Sequence, residues 1–212
     1  MKITIVYDNE TGKKGLRPDW GFACVVEASG WTMLFDTGAD GALLLETMRA
    51  LQIEPDSIDG VFVSHAHYDH TGGLAAFLNE NGRAVVYVPT SLKDIRNVDH
   101  LVQADSAMKL HENIYSTGEL GEIEQSLIIK TDHGLVLIVG CAHSGVPDIL
   151  EAALPFGTPY ALVGGLHDFN EFDCLKNLKL ICPTHCTRYK SEIESLFGGV
   201  FVKGGAGVVL KL

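Results

Sequence analysis

The chain has 212 residues, 46% of them hydrophobic and 20% charged, a balance that excludes a disordered polar chain and allows a substantial core. Its formal net charge of −11 argues against a nucleic-acid partner, which needs a basic stripe for phosphate neutralisation, and against an anionic membrane surface. The five cysteines, Cys24, Cys141, Cys174, Cys182 and Cys186, are odd in number and scattered, unlike a secreted disulfide framework.

Met1-Lys-Ile-Thr-Ile-Val-Tyr-Asp reads as a first strand, carries no signal-peptide pattern, and is followed by no run of membrane-spanning length, so a cytoplasmic protein is expected. Ile3–Tyr7, Phe22–Glu27 and Thr32–Phe35 have strand character. The run from Asp40 to Leu51 has helical spacing with Asp40 as N-cap. Gly60–Ser64 is a buried strand, Gly73–Leu78 begins a helix, and Ala84–Val88 is a strand again. From Ser91 to Gly121 the pattern weakens, and a substrate-facing loop region is expected there, with Lys93 and Arg96 as possible anion contacts.

Ser126–Lys130 and Leu135–Val139 read as strands around the turn Thr131-Asp-His-Gly, a hairpin signal. Val146–Leu154 is helical, Tyr160–Val163 and Leu178–Ile181 are strands, and Tyr189–Phe197 is helical, with Arg188 before it as a third possible anion contact. The glycine-rich tail from Gly198 has no following helix and no Lys-Ser/Thr, so a terminal pair of strands is expected rather than a phosphate loop. Two halves of mixed strands followed by helices, with no linker between them, predict one α/β domain over residues 1–212: two packed sheets with helices outside.

The most informative segment is Ser64-His-Ala-His-Tyr-Asp-His, straight after the strand Gly60–Ser64. Three imidazoles and a carboxylate within six residues are the donor set of zinc and neighbouring transition metals. Residues two apart in an extended segment point the same way, so His65 and His67 can reach one ion. Asp69 and His70 follow as the chain turns and can reach a second. His143 in Gly140-Cys-Ala-His-Ser-Gly and His185 in Cys182-Pro-Thr-His-Cys-Thr each stand just past another apolar strand. His143 would complete the site of His65 and His67, and His185 that of Asp69 and His70. Cys186 is a soft donor expected to point elsewhere if His185 faces the metal. His167 and Asp168, in Gly164-Gly-Leu-His-Asp, cannot easily face one metal from adjacent positions. His100, His111 and His133 are expected at the surface.

Phe35-Asp-Thr-Gly, His-x-His-x-Asp-His and the later histidines at 143 and 185, in this order and at strand ends, resemble the metallo-β-lactamase fold superfamily across essentially the whole chain. Gly134-Leu-Val-Leu-Ile-Val-Gly-Cys-Ala-His-Ser-Gly, Gly164-Gly-Leu-His and Pro183-Thr-His-Cys-Thr narrow the likeness. They resemble the subfamily labelled 7,8-dihydropterin-6-methyl-4-(β-ribofuranosyl)-aminobenzene 5′-phosphate synthase-like, a broad label that does not define a substrate. The resemblance implies an αββα sandwich and a two-metal site with His65, His67 and His143 on one ion and Asp69, His70 and His185 on the other. Asp36 would anchor the ligand loop. His167 stands where most members offer a bridging aspartate, so it is expected to face the metals while Asp168 turns away.

The activity expected is that of a metal-dependent hydrolase, most simply with two zinc ions, manganese or iron being possible. It would act on a small, anionic substrate, such as a phosphoester or related ester or lactone, through a metal-bound hydroxide oriented by Asp69. The alternatives are an iron-dependent redox enzyme with the same donors and a non-catalytic metal- or ligand-binding protein. Within the superfamily, an exported β-lactamase lacks its signal here, a nuclease its basic face, and a glyoxalase-type thioesterase the helical region after His185.

Overall fold

Strand β1 (Lys2–Tyr7) is buried from Ile3 to Tyr7, so both of its faces need apolar cover. The computed structural model describes every residue except Asp94, Arg96 and Asn97, and it meets that need with a second sheet on one face and helices on the other. Strands β2 (Ala23–Ala28) and β3 (Trp31–Phe35) follow, then helix α1 (Gly41–Ala50), strand β4 (Gly60–Phe62), helices α2 (Tyr68–Thr71) and α3 (Leu74–Glu80), and strands β5 (Val85–Pro89) and β6 (Leu101–Ala104). The second half holds strands β7 (Met108–His111), β8 (Ile114–Ser116), β9 (Leu127–Thr131) and β10 (Gly134–Val139), then helix α4 (Val146–Ala153) and strands β11 (Pro159–Gly165) and β12 (Leu180–Thr184). Helix α5 (Lys190–Phe197) and strand β13 (Val209–Lys211) end the chain.

One sheet runs β13-β1-β2-β3-β4-β5-β6 and the other β12-β11-β10-β9-β8-β7. Their inner faces share a core in which Ile3, Phe35 and Phe62 join Leu127, Ile138 and Val163. Leu44, Met48 and Phe77 of α1 and α3 cover Val25, Leu34 and Val61 on the outside of the first sheet. Ile149 of α4 and Ile193 of α5 cover Leu137 and Leu162 on the outside of the second. The fold is the expected αββα sandwich. Asp40 caps α1 as its sequence position suggests, its Oδ1 accepting from the N–H groups of Ala42 at 2.8 Å and Leu43 at 3.2 Å.

Strand direction positions the site. β3 and β4 are parallel with Phe35 beside Phe62. β10, β11 and β12 are parallel with Val139 beside Gly164 and Gly165 beside Thr184. Chain segments leaving these strands therefore emerge side by side, which brings together the segments after Phe35, Phe62, Val139, Gly165 and Thr184.

Two expectations need correction. The region 91–121 is not simply loop, because β6, β7 and β8 lie within it. These strands have three or four residues each, and β6 and β7 are largely exposed or half-buried, so their own apolar patterns are thin. Pairing to β5 and β9 defines β6 and β8. The glycine-rich tail forms one strand rather than two. β13 pairs with β1, while Phe201 and Ala206 make only isolated bridges to Ile181 and Thr11. No helix among the described residues is long and apolar enough to cross a membrane.

Candidate metal centre

Donor-bearing segments begin where β4, β10 and β12 end, and the chain turns abruptly there. Ala142 and His185 have φ of 52° and 45°, and Asp36 and His167, past β3 and β11, have 53° and 46°. Such left-handed conformations at non-glycine residues cost about 1–3 kcal/mol each and gather at functional sites.

His65 Nε2 lies 3.1 Å from His67 Nδ1, which lies 3.2 Å from His143 Nε2. Two nitrogens held by one zinc at roughly 2.0–2.1 Å would stand about 2.9–3.3 Å apart for bond angles between right-angled and tetrahedral. The protonation pattern agrees. Ser64 Oγ donates to Asp36 Oδ2 at 2.7 Å and so accepts from His65 Nδ1 at 2.9 Å, leaving a lone pair on His65 Nε2. Burial, and then the neighbouring imidazoles, push His65 well below the usual histidine range, and burial also pushes His143 down. Neutral rings are what a metal needs.

Asp69, His70 and His185 form a second group, with one donor atom from each lying within 4.8 Å of the others. Asp69 and His70 lie on the single helical turn of α2. Asn9 comes from the β1–β2 loop, and its Oδ1 faces His185 Nδ1 at 2.9 Å. An amide oxygen only accepts, so Nδ1 carries a proton and Nε2 is the nitrogen turned toward Asp69. That Nε2 is buried without a hydrogen-bond partner among the described residues, 3.1 Å from Asp69 Oδ2. A ring nitrogen and a carboxylate oxygen at that distance are held together by a cation between them, a proton or a metal ion, so these residues fit a metal. Burial opposes ionisation of Asp69, but the hydrogen bond that a protonated His185 donates to it outweighs burial and holds the carboxyl well below its ordinary range.

Asp36 ties the groups together. Its Oδ1 accepts from the Ser64 N–H at 2.7 Å, and its Oδ2 faces both Ser64 Oγ and His70 Nδ1 at 2.7 Å. It thereby orients His65 through Ser64 and His70 directly, the arrangement by which outer partners set ligand rings. Burial pushes the Asp36 carboxyl well up and the His70 imidazole down to about 3.

His167 stands at the rim. Its ring centroid is 5.1 Å from that of His143, and its Nδ1 is 3.2 Å from Asp168 Oδ2. Asp168 is also paired with Arg188 at 3.2 Å, which occupies that proposed anion contact. Lys93 is exposed and lines an open depression with Glu119 and Glu122; Arg96 lies outside the described residues. Of the histidines expected at the surface, His100 and His133 are exposed, whereas His111 is half-buried and stacks on Trp31.

Cys186 does not point elsewhere. Its Sγ lies 3.2 Å from Cys141 Sγ and within 4.8 Å of a His185 donor atom. The left-handed backbone at His185 breaks strand alternation and turns consecutive side chains to the same side. Sequence reasoning also passed over Cys141, whose Sγ lies 3.2 Å from His70 Nε2. The available signal was the spacing Cys141-x-His143 at a strand end, a parallel to His65-x-His67. Asn9 was missed because its place beside His185 depends on contact between segments 176 residues apart.

Residues 18–153 match the family model of the Metallo-beta-lactamase superfamily, and the chain belongs to that superfamily, whose members are commonly metal-dependent hydrolases. It is 26% identical to the 7,8-dihydropterin-6-methyl-4-(beta-D-ribofuranosyl)-aminobenzene-5'-phosphate synthase of Methanocaldococcus jannaschii, across 81% of each chain. An uncharacterized protein of the same organism is 24% identical across 98% of this chain and 99% of that one. The fold superposes with a TM-score of 0.81 on a crystal structure described as a metal-dependent hydrolase of the beta-lactamase superfamily, 24% identical and covering 100% of this chain and 99% of the other.

Proposed function

We propose that this protein is a cytoplasmic metal-dependent hydrolase of a small anionic substrate, a phosphoester or a related ester or lactone, with neither nucleic acid nor membrane as partner. The observation that carries this reading is the convergence of His65 Nε2, His67 Nδ1 and His143 Nε2 beside the group of Asp69, His70 and His185. The first three would hold one divalent ion and the second three another. Nitrogen and carboxylate donors favour zinc and also accept manganese or iron. Bound there, the ions supply Lewis acidity toward the substrate oxygen and acidify water near neutral pH.

The chain's own groups do the positioning. Asp69, half-buried and held ionised beside His185, accepts a hydrogen bond from the attacking water and aims it, which makes it the catalytic residue. His143 and His167 line a depression with Val146, Leu166 and Phe169, a seat for the organic part of the substrate. The phosphate in the name of the methanocaldococcal relative's product agrees with a phosphoester class.

The test is to strip the protein of metal, reload it separately with zinc, manganese and iron(II), and assay a phosphodiester, a phosphomonoester, a lactone and a thioester. Turnover of one ester class that returns with metal is expected. A fully loaded protein inert toward all four would overturn the hydrolase reading.

A further inference from the structure

Cys141 Sγ is common to two of the donor groups. With His65 and His70 it forms one set, and with His185 and Cys186 another, the donor atoms of each set lying within 4.8 Å of one another. His65 belongs to the first proposed ion and His70 and His185 to the second, so this sulfur lies beside a donor residue of each. The residue is 3% exposed and its Sγ faces His70 Nε2 at 3.2 Å. A sulfur and a nitrogen on one zinc, with bonds of roughly 2.3 and 2.0–2.1 Å, would be about 3.1–3.6 Å apart. Across the same space, Nε2 of buried His185 has no hydrogen-bond partner among the described residues and faces Asp69 Oδ2 at 3.1 Å, which independently marks a place for a cation.

The backbone makes room for the sulfurs. A methyl group on Gly165 would stand 2.8 Å from Cys186 Sγ and 2.4 Å from the Gly140 carbonyl oxygen. Glycine there lets the β10 and β12 loops close on each other and set the two sulfurs 3.2 Å apart. His167, at the chain position of the expected bridging aspartate, lies at the rim and belongs to neither set. A protein carboxylate bridge from that position is therefore missing among the described residues, while a sulfur lies inside.

We propose that Cys141 is a metal ligand whose thiolate is shared by the two ions, with Cys186 as a positioning residue that donates its S–H to the Cys141 sulfur. This rests on the two-ion reading of the site. On metal binding the Cys141 thiol releases its proton to solvent and the sulfur forms one bond to each ion. A sulfur at this position also biases the site toward softer divalent metals than an all-oxygen bridge would.

The experiment is cobalt(II) titration of the metal-free full-length chain, followed by near-ultraviolet thiolate-to-cobalt charge-transfer absorption, with bound cobalt counted in parallel. The band is expected to grow through both the first and the second equivalent. Cys141→Ser should abolish it while the visible cobalt bands of the histidine sites remain, and Cys186→Ala should retain it. Circular dichroism checks that each variant is folded; if Cys141→Ser does not fold, alkylation protection of Cys141 by bound cobalt, read by mass spectrometry, replaces it, and unprotected Cys141 counts against the proposal. Two bound cobalt ions without the band would overturn the thiolate while leaving the two-metal reading intact. A band confined to one equivalent, or one lost only in Cys186→Ala, would overturn the shared position of Cys141. Failure to bind cobalt at all would overturn the metal reading itself.

Discussion

Asp36 Oδ2 lies 2.7 Å from His70 Nδ1, and both side chains are fully buried. Because the same oxygen also accepts from Ser64 Oγ, which faces His65 Nδ1 at 2.9 Å, one carboxylate governs a ring in each donor group. Asp36→Asn keeps the volume but cannot accept from Ser64 and His70 through the same arrangement. Loss of an outer partner of this kind typically costs 10–100-fold in metal affinity or activity. Competition against a chelator should show a fall of about that size in both sites. An unchanged affinity would mean that Asp36 serves the core and not the ligands.

His65→Ala removes a nitrogen that no neighbouring group replaces, because His65 Nε2 is one of three converging donors. The variant should lose the first ion and most of its turnover. Elemental analysis showing full occupancy together with normal activity would remove His65 from the site.

His167→Ala and Asp168→Ala separate two neighbours with different partners. His167 faces the ring of His143, whereas Asp168 is bound to Arg188. His167→Ala should weaken one ion more than the other, and Asp168→Ala should leave metal content nearly unchanged. A large loss of metal in Asp168→Ala, with little in His167→Ala, would reverse their roles.

The metal-free protein should lose stability as pH falls below about 6.5, where an unfolded histidine takes up its proton. His65 is held neutral by burial, so in that window the unfolded chain binds a proton that the folded chain refuses, and stability declines toward acid. Each pH unit of that difference contributes at most about 1.4 kcal/mol. Thermal melts of metal-free wild type and His65→Gln from pH 7 to 5 should show the steeper decline in wild type. Parallel slopes would show that His65 does not titrate differently in the two states.

The sequence was legible wherever short-range physics sufficed. Strand alternation, the Asp40 cap and the spacing of His65, His67, Asp69 and His70 are local properties, and they defined the sandwich and its most informative segment without any distant contact. His143 and His185 were readable for a related reason: each follows an apolar strand, and donors at strand ends belong to the edge where parallel strands finish.

Tertiary structure decided what depends on pairing and on backbone hand. β6, β7 and β8 have too few apolar residues to announce themselves, and β6 and β8 are held by β5 and β9. Asn9 reaches His185 across 176 residues of chain, a separation that no periodicity encodes. The left-handed turns at Ala142, His167 and His185 override the alternation on which side-chain direction was judged. They set Cys141 and Cys186 beside the histidines and leave His167 at the rim. By itself the sequence determined which donors the chain owns and at which strand ends they lie; only the folded backbone decided which of their atoms meet, because that depends on torsions and register set by the packing of two sheets.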